Sequence, residues 1–393
     1  MKVLHSTELD DSAIDWSLHL KRAIDLACNV ISARPNPRVG CVIVKEGIVV
    51  AEGWHRGAGQ PHAEVMALSN AQTDVCGATA FVSLEPCNHQ GRTGPCSEVL
   101  INAGINTVVI AMTDPDPRVS GRGIKRLEQA GIKVFHLEDF EQTAHDINPG
   151  FMQRLSIGRP YVRMKLAMSL DGRTALANGT SKWITGTAAR TDVQRYRTRS
   201  SAILTGINTV LADDPQLVVR REEINLSEEQ LQENQVTLQS SPMRIVLDSR
   251  LRTPATAKIL GQYDGKTLIY TCTADDRARF ESFENVEICQ VRHEHGEVAA
   301  GVNLVSVLES LATDYECNEL LIEAGPTLCG SFLEANLVDE LVIYMAPKLM
   351  GCDAMPLAAL QGFVSLAEVP RFDVKELSQI DNDIKVVLRP FKI

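Results

Sequence analysis

The sequence predicts an α/β protein made of two domains. Val- and Ile-rich segments of strand length alternate with segments of helical period along most of the chain. The alternation is broken once by a stretch containing Pro and Gly, and 393 residues exceed one ordinary domain. Strands alternating with helices build layered α/β structures, and length alone suggests two or three domains.

The first series begins with SAIDWSLHLKRAIDLACNVIS (12–32), whose apolar residues recur at three and four and predict a helix. VGCVIVKEGIVVAEG carries two β-branched runs around Glu46–Gly47, the pattern of a hairpin. Residues 62–72 read as a helix, ATAFVSLEP as a buried strand and 97–103 as a helix. TVVIAM is a strand, GIKRLEQAG a helix closed by Gly131, and IKVF a strand. DINPGFMQRLSIGRP (146–160) breaks the pattern and is read as the boundary, giving domains at 1–148 and 159–393.

The second series opens with YVRMKLAMSLDGRTAL. It continues through the helix AARTDVQRYRTR and the strands AILTG, MRIVLDS and TLIYTC. The helix LVSVLESLATDY, the strand ELLIEAG, the helix TLCGSFLEANL and the strand DELVIYMAP follow. Between them REEINLSEEQLQENQVTLQSSP (221–242) is polar and rich in Gln and Glu, the composition of a solvent-exposed insertion. No internal repeat relates the halves.

A net charge of −11 argues against broad binding to nucleic acid or anionic membranes, which want basic patches. It leaves room for a local basic pocket that takes a phosphorylated small molecule. No apolar run reaches membrane-spanning length, and MKVLHSTELDDSAIDW lacks the apolar core of a signal peptide, so a cytoplasmic protein is expected. Ten cysteines in such a chain are not a disulfide framework. Most lie singly in apolar segments and read as small core residues. Cys87 and Cys96 differ, because they flank a loop rich in Gly, Pro, His and Asn.

Catalytic zinc takes three protein ligands and leaves the fourth position to water. His62, Cys87 and Cys96 offer one imidazole and two thiolates, with Cys96 at a helix start where the dipole favours thiolate. Positions i and i+2 do not share a helix face, so His62 and Glu64 converge only if the chain is still entering the helix at His62. Pro61 suits such an entry. Glu64 is then the general acid/base: it takes a proton from the attacking water and returns one to a leaving amine. A closed structural zinc, with His89 as fourth ligand, would leave Glu64 idle. The set resembles the zinc-deaminase signature H-x-E…P-C-x-x-C, although the second cysteine here comes nine residues after the first.

The loop PCNHQGRTGPC, with NPRVGCVIV and HAEV, resembles the deaminase half of the bifunctional riboflavin-biosynthesis deaminase–reductase over residues 20 to 135. The resemblance implies a cytidine-deaminase-like α/β/α domain. Its implied substrate is a diaminopyrimidinone bearing a phosphoribosylamino group, which loses its ring amine as ammonia. By position Asn36, His55, His89 and Arg92 are implied to contact this substrate. Read alone, Asn36 is equally a turn residue and Arg92 a solvated charge.

In the remaining sequence LIEAGPTLCGSFL sets Gly-Pro-Thr between a strand and a helix, where backbone N–H groups and the helix dipole suit a phosphate. It is not G-x-G-x-x-G, so no Rossmann fold is inferred. With KLAMSLDGRTA, SKWITG, TGINTVLADDPQL, IVLDS and DELVIYMAPKLMG, it resembles the reductase half of the same family over residues 160–393. That half implies a dihydrofolate-reductase-like α/β domain using NADPH, with hydride delivered to C1′ of the ribose.

Carried over, cofactor contacts fall at Ala167, Trp183, Thr209, Asp213, Ser249 and the run Gly325, Pro326, Thr327, Leu328, Cys329, Gly330, Ser331. Substrate contacts fall at Ser181, Arg197, Leu217, Arg220 and Glu323. Arg197 and Arg220 suit a 5′-phosphate, Trp183 offers a flat apolar face, and Glu323 suits sugar hydroxyls. Lys165 is either a proton donor to the opening sugar or one half of a plain salt bridge. Core packing is the alternative for Trp183, and a simple turn that for Asp213–Asp214–Pro215.

The expected activity is therefore consecutive deamination and reduction of a phosphoribosyl pyrimidine. The family also implies a homo-oligomer joined through its reductase halves. A nucleic-acid or free-base deaminase with an accessory NADP-binding domain is the enzymatic rival, opposed by the charge balance. A zinc-stabilised NADP sensor is the non-enzymatic rival, for which Glu64 would have no use.

Overall fold

The computed structural model describes residues 1–5, 15–88, 94–117, 119–273, 275–292 and 301–391. They form two compact units: residues 1–157 with 226–239, and residues 158–225 with 240–393.

The first unit is built on a six-stranded sheet. Its elements in chain order are β1 (Lys2–Leu4), α1 (Trp16–Ala27), β2 (Gly40–Lys45), β3 (Ile48–Trp54), α2 (Ala63–Asn70), β4 (Thr79–Val82), α3 (Cys96–Asn102), β5 (Thr107–Ile110), α4 (Arg122–Gln129), β6 (Lys133–Leu137), α5 (Glu141–Ile147) and α6 (Pro149–Ile157). The strand order is β1-β6-β5-β4-β2-β3, with β2 antiparallel to both its neighbours and the rest parallel. The hairpin turns where the sequence predicts: Glu46 and Gly47 both take positive φ, as a two-residue turn matched to strand twist requires.

Alternation along β2 feeds two cores, as a strand buried on both faces must. Cys41 and Ile43 pack in one layer with Ala63 and Ala67 of α2 and Leu100 of α3. Val42 and Val44 pack in the other with Leu20, Ala23 and Ile24 of α1. The start of α1 is fixed by Asp15, whose side chain accepts from Leu18 N at 3.0 Å.

The expected boundary at 146–160 is helical. Pro149 opens α6, a position where its missing N–H removes no helix bond. The unit therefore runs to Ile157, past the expected end at 148.

The second unit contains β7 (Tyr161–Ser169), β8 (Arg173–Ala175), α7 (Thr187–Arg199), β9 (Ala202–Gly206) and α8 (Ile207–Asp213). The next two helices, α9 (Glu228–Glu233) and α10 (Gln235–Gln239), belong to the first unit. Then come β10 (Met243–Leu247), β11 (Thr267–Thr271), β12 (Val286–Gln290), α11 (Leu304–Thr313), β13 (Glu319–Ile322), α12 (Pro326–Glu334), β14 (Glu340–Ala346), β15 (Met355–Pro356), β16 (Phe372–Ile380) and β17 (Asp383–Pro390). Nine strands pair in the order β12-β11-β10-β9-β13-β7-β14-β17-β16, and β15 pairs with β8. The sheet is parallel from β12 to β14 and closes with the antiparallel β17 and β16. Leu204, Ile245 and Leu268 face one core and Ile203, Val246 and Ile269 the other.

The polar segment 221–242 departs from its expected exposure. Asn234 is 1% exposed and Thr237 5%, because their side chains hydrogen-bond to backbone far away in sequence. Charged residues do cover the outside of α9, which is why composition alone suggests full solvation.

Candidate active sites

In the first unit, β3 and α2 bring His62 and Glu64 together. Gly53 permits it: a Cβ there would lie 2.2 Å from Ala67 N, so only glycine lets α2 sit this close to β3. His62 is the extended N-cap residue of α2, at φ −71° and ψ 164°, and Glu64 lies in the first turn. The extended backbone at His62 lets both side chains serve one place.

Cys96 is the first residue of α3, and the loop after β4 carries Cys87. The donor atoms of His62, Cys87 and Cys96 lie within 4.8 Å of one another. His62 Nδ1 is 3.2 Å from Cys96 Sγ and 3.5 Å from Cys87 Sγ. Hydrogen bonding with Cys96 and then His62 holds the Cys87 thiol below its ordinary range. The hydrogen bond with Cys87, and then burial, push Cys96 the other way. One imidazole and two sulfurs, one of them already favoured as thiolate, fit a zinc ion with an open fourth position. Glu64 is 3% exposed, and burial pushes its carboxyl up to about 7.

His55 is also buried, and burial lowers its pKa to about 4, so the ring is neutral near pH 7. Its Nδ1 lies 2.9 Å from Pro61 O, and Asn36 Nδ2 lies 3.0 Å from its Nε2. Those partners assign the proton to Nδ1, which donates to the carbonyl, while Nε2 accepts from the amide. The ring packs edge-on to His62, with centroids 5.2 Å apart. His89 and Arg92, also expected at this site, lie outside the described residues.

Sequence reasoning passed over Glu85, two residues before Cys87. Its carboxylate accepts from the backbone N–H groups of Asp114, Gly121, Gly123 and Ile124 at 3.0–3.3 Å. It thereby caps α4, which has no side-chain cap of its own, and fixes the loop carrying Asp114 and Asp116. Burial pushes Asp114 up to about 7, with Asp116 and Glu85 adding to the effect. The signal was TDPDP, two Asp-Pro pairs directly after a strand.

The second unit holds a cleft of about 1230 Å³. It opens at the C-terminal ends of the parallel strands, where open α/β sheets bind their ligands. Lys165 and Ala167 come from β7, Thr209 and Asp213 from α8, Ser249 from the end of β10 and Glu323 from the end of β13. Ser181, Trp183, Arg197, Leu217 and Arg220 also line it, as do Gly325, Pro326, Thr327, Leu328 and Ser331 of the expected run.

Cys329 and Gly330, the other two residues of that run, are not among those lining the cleft. They sit on the face of α12 that packs inward, with Cys329 Sγ 3.4 Å from Ala324 O. Trp183 is 63% exposed, so core packing is not its role, and the Arg190 guanidinium stands 4.7 Å from its ring centre.

Arg197, which lines the cleft, is already paired. Its fork donates to both oxygens of Glu323, at 2.6 and 2.9 Å, and to Val218 O at 2.9 Å. Arg220 is freer, at 39% side-chain exposure and paired to Glu223 on the surface. Among the described residues Lys165 forms no ion pair within 4 Å, yet Glu323 and Arg197 both act on it electrostatically. Burial lowers its proton affinity. An ammonium in a tight salt bridge would be held above its ordinary range.

Comparisons with known proteins match both units. Residues 15–112 match the cytidine and deoxycytidylate deaminase zinc-binding region, and residues 160–386 the RibD C-terminal domain. The chain is 46% identical to the riboflavin biosynthesis protein RibD of Escherichia coli K12, across 93% of this chain and 97% of that one. It is 45% identical to the protein of the same name from Haemophilus influenzae, across 94% and 96%. Acinetobacter baumannii RibD superposes with a TM-score of 0.83 at 42% identity, covering 96% of this chain and 99% of that one. A Thermotoga maritima structure described as a diaminohydroxyphosphoribosylaminopyrimidine deaminase/5-amino-6-(5-phosphoribosylamino)uracil reductase does so at 0.78 and 31% identity, over the same shares. A deaminase-type zinc centre in one unit and a reductase cleft in the other, matched along nearly the full length of these relatives, make the chain a member of the RibD family of riboflavin biosynthesis.

Proposed function

We propose that the protein deaminates 2,5-diamino-6-(5-phosphoribosylamino)pyrimidin-4-one in its first unit. In its second unit it then reduces the ribosyl chain with NADPH, giving 5-amino-6-(5-phosphoribitylamino)uracil. The observation that carries the reading is the buried carboxyl of Glu64 beside three convergent zinc-type donors.

His62, Cys87 and Cys96 would hold zinc, which supplies Lewis acidity and acidifies a water. Glu64 is placed to accept a proton from the attacking water as the water's oxygen bonds to the ring carbon. The carboxyl then returns a proton to the amine as the C–N bond breaks and ammonia leaves. Asn36, oriented by the neutral His55, contacts the pyrimidine, with His89 and Arg92 as further contacts.

In the second unit NADPH supplies the hydride for C1′. Trp183, Thr209, Asp213, Ser249 and the start of α12 bind the cofactor, and Ala167 lines its path. Ser181, Leu217 and Glu323 hold the substrate, with Arg197 fixing the carboxylate of Glu323. Arg220 is the principal phosphate ligand, because the fork of Arg197 is already engaged. Lys165 gives a proton to the sugar oxygen as the ring opens, and its lowered proton affinity supports that role.

The cytoplasm supplies both substrates, in keeping with the lack of any helix among the described residues long and apolar enough to cross a membrane. Copies associate through the reductase unit, whose edge strand β16 exposes Val374 and Leu377. A nucleic-acid or free-base deaminase would not need a reductase cleft in the same chain.

The test supplies the purified full chain with the phosphoribosyl pyrimidine and follows ammonia and NADPH together. Ammonia release should precede NADPH oxidation. Ammonia release without subsequent oxidation, or release only from cytidine or single-stranded DNA, would overturn the reading.

A further inference from the structure

The two helices from the middle of the chain are attached to the first unit at a specific place. Ser227 starts α9 with a capping box: its hydroxyl accepts from Gln230 N at 3.2 Å, and the Gln230 side chain accepts from Ser227 N at 3.0 Å. The helix ends at Glu233, and α10 begins at Gln235. The five residues Glu233 to Thr237 then make most of the polar contacts with the rest of the unit.

Asn234 reaches one loop, accepting from Ile31 N at 2.6 Å and donating to Asn29 O at 3.2 Å. Thr237 Oγ1 donates to Ser32 O in the same loop. Glu233 reaches a second loop. Its Oε2 accepts from Trp54 Nε1 and Arg56 Nε, and its Oε1 from Arg56 Nη2, each at 2.9 Å. Val236 covers Gly57 so closely that a Cβ there would lie 2.7 Å from its Cγ1.

These two loops carry the groups beside the zinc ligands. The first runs on to Asn36, and the second contains His55, flanked on each side by a residue that Glu233 grips. Asn36 and His55 bond to each other, and His55 holds Pro61 immediately before His62. The contact that sets Asn36 against His55 therefore depends on the register of two loops, and a single turn of polypeptide ties both.

We infer that Glu233–Thr237 is a positioning element of the deaminase site, holding the Asn36 and His55 loops in register for the pyrimidine. The inference rests on the reading of the first unit as a pyrimidine deaminase. Asparagine at 234 suits the task because one amide both accepts from and donates to the backbone it braces. Glu233 likewise uses both oxygens, so its removal would free Trp54 and Arg56 together.

The test is steady-state deamination by the zinc-loaded full chain carrying Glu233→Ala, Glu233→Gln or Thr237→Val. Sub-ångström misplacement of a substrate-binding group weakens productive binding steeply. Glu233→Ala should raise the deaminase KM about tenfold, with zinc stoichiometry and NADPH-dependent reduction of the deaminated intermediate unchanged. Glu233→Gln keeps an acceptor oxygen and should recover part of that loss. Thr237→Val keeps the shape and loses one hydrogen bond, so a rise of about threefold is expected even if Glu233→Ala does not fold.

A merely structural strap predicts something else: fewer active molecules, hence a lower apparent kcat and parallel zinc loss at unchanged KM. That outcome, or unaltered kinetics in Thr237→Val and Glu233→Gln, overturns the inference. Failure of the wild type to release ammonia would instead overturn the deaminase reading on which it rests.

Discussion

Replacing Arg197 with Met should convert the pH dependence of the reductase core from one sign to the other. In the wild type Arg197 and Glu323 form a two-pronged pair whose side chains are only 13% and 14% exposed. Burial pushes the Glu323 carboxyl up, but Arg197, aided by Lys165 and Arg220, pulls it below the ordinary Glu range. Such a depressed carboxylate stabilises the fold at every pH above the ordinary value. That stability is lost only as pH falls through the lower folded value.

Methionine keeps the length of the side chain and removes the fork, leaving a buried carboxylate. Breaking a buried pair costs ~3–5 kcal/mol, and the lower end applies because Lys165 and Arg220 remain. Without Arg197, burial dominates and raises the folded pKa of Glu323. The group then stabilises the fold below its ordinary pKa and loses that contribution as pH rises through the raised value, by at most ~1.4 kcal/mol per pH unit.

Lowering the pH from 7 toward 5 should therefore stabilise the variant and leave the wild-type contribution flat. Native-state hydrogen exchange of the β13 amides, Glu319–Ile322, reads this locally without assuming that both units unfold together. Adding Glu323→Gln to the variant should recover most of the loss, because a neutral amide replaces the stranded charge. A variant within ~0.5 kcal/mol of wild type at pH 7, or one sharing its pH profile, would refute the reasoning.

Cys87→Ser should lose bound zinc and ammonia release together while reducing the deaminated intermediate normally, as metal analysis and the two separate assays will report. Glu64→Gln should keep its zinc and lose deamination by about 10²–10⁴-fold; zinc loss in that variant would make Glu64 a ligand or a support instead. Arg220→Ala should raise the reductase KM for the phosphorylated intermediate strongly and that for NADPH little. A dephosphorylated intermediate should be handled poorly by wild type and variant alike.

What the sequence conveyed depended on how local the cause was. The Glu46–Gly47 turn and the N-cap entry at His62 follow from residues adjacent in the chain, and both could be read there. Pro149 was misleading because a proline ends a helix from inside but is accommodated at its first turn. The composition of 221–242 describes the outward faces of its helices correctly. The burial of Asn234 has no local trace, because its partners are Asn29 and Ile31.

Arg197 shows the same limit at the second site. Its residue type suits a phosphate, and only the fold reveals that Glu323, at the end of β13, already occupies the fork of this α7 residue. On α12 the linear run Gly325 to Ser331 conceals the helical turn that carries Cys329 and Gly330 inward. The C-terminal hairpin β16–β17 went unread, since β17 is recognised mainly by its antiparallel pairing with β14.

The discontinuity of the first unit sets an order for its maturation during synthesis. Its sheet is complete once Ile157 has emerged, but Asn234 lies 203 residues beyond its partner Ile31. At roughly 5–20 residues per second, the stretch to Gln239 takes about 4–16 s longer to translate. Until then Ile31 N, the Trp54 indole N–H and the Arg56 guanidinium lack the acceptors that Asn234 and Glu233 supply. A gene fragment stopped after Ile157 encodes a domain held permanently at that earlier stage, so excising the deaminase by cutting at the apparent junction removes part of the deaminase itself.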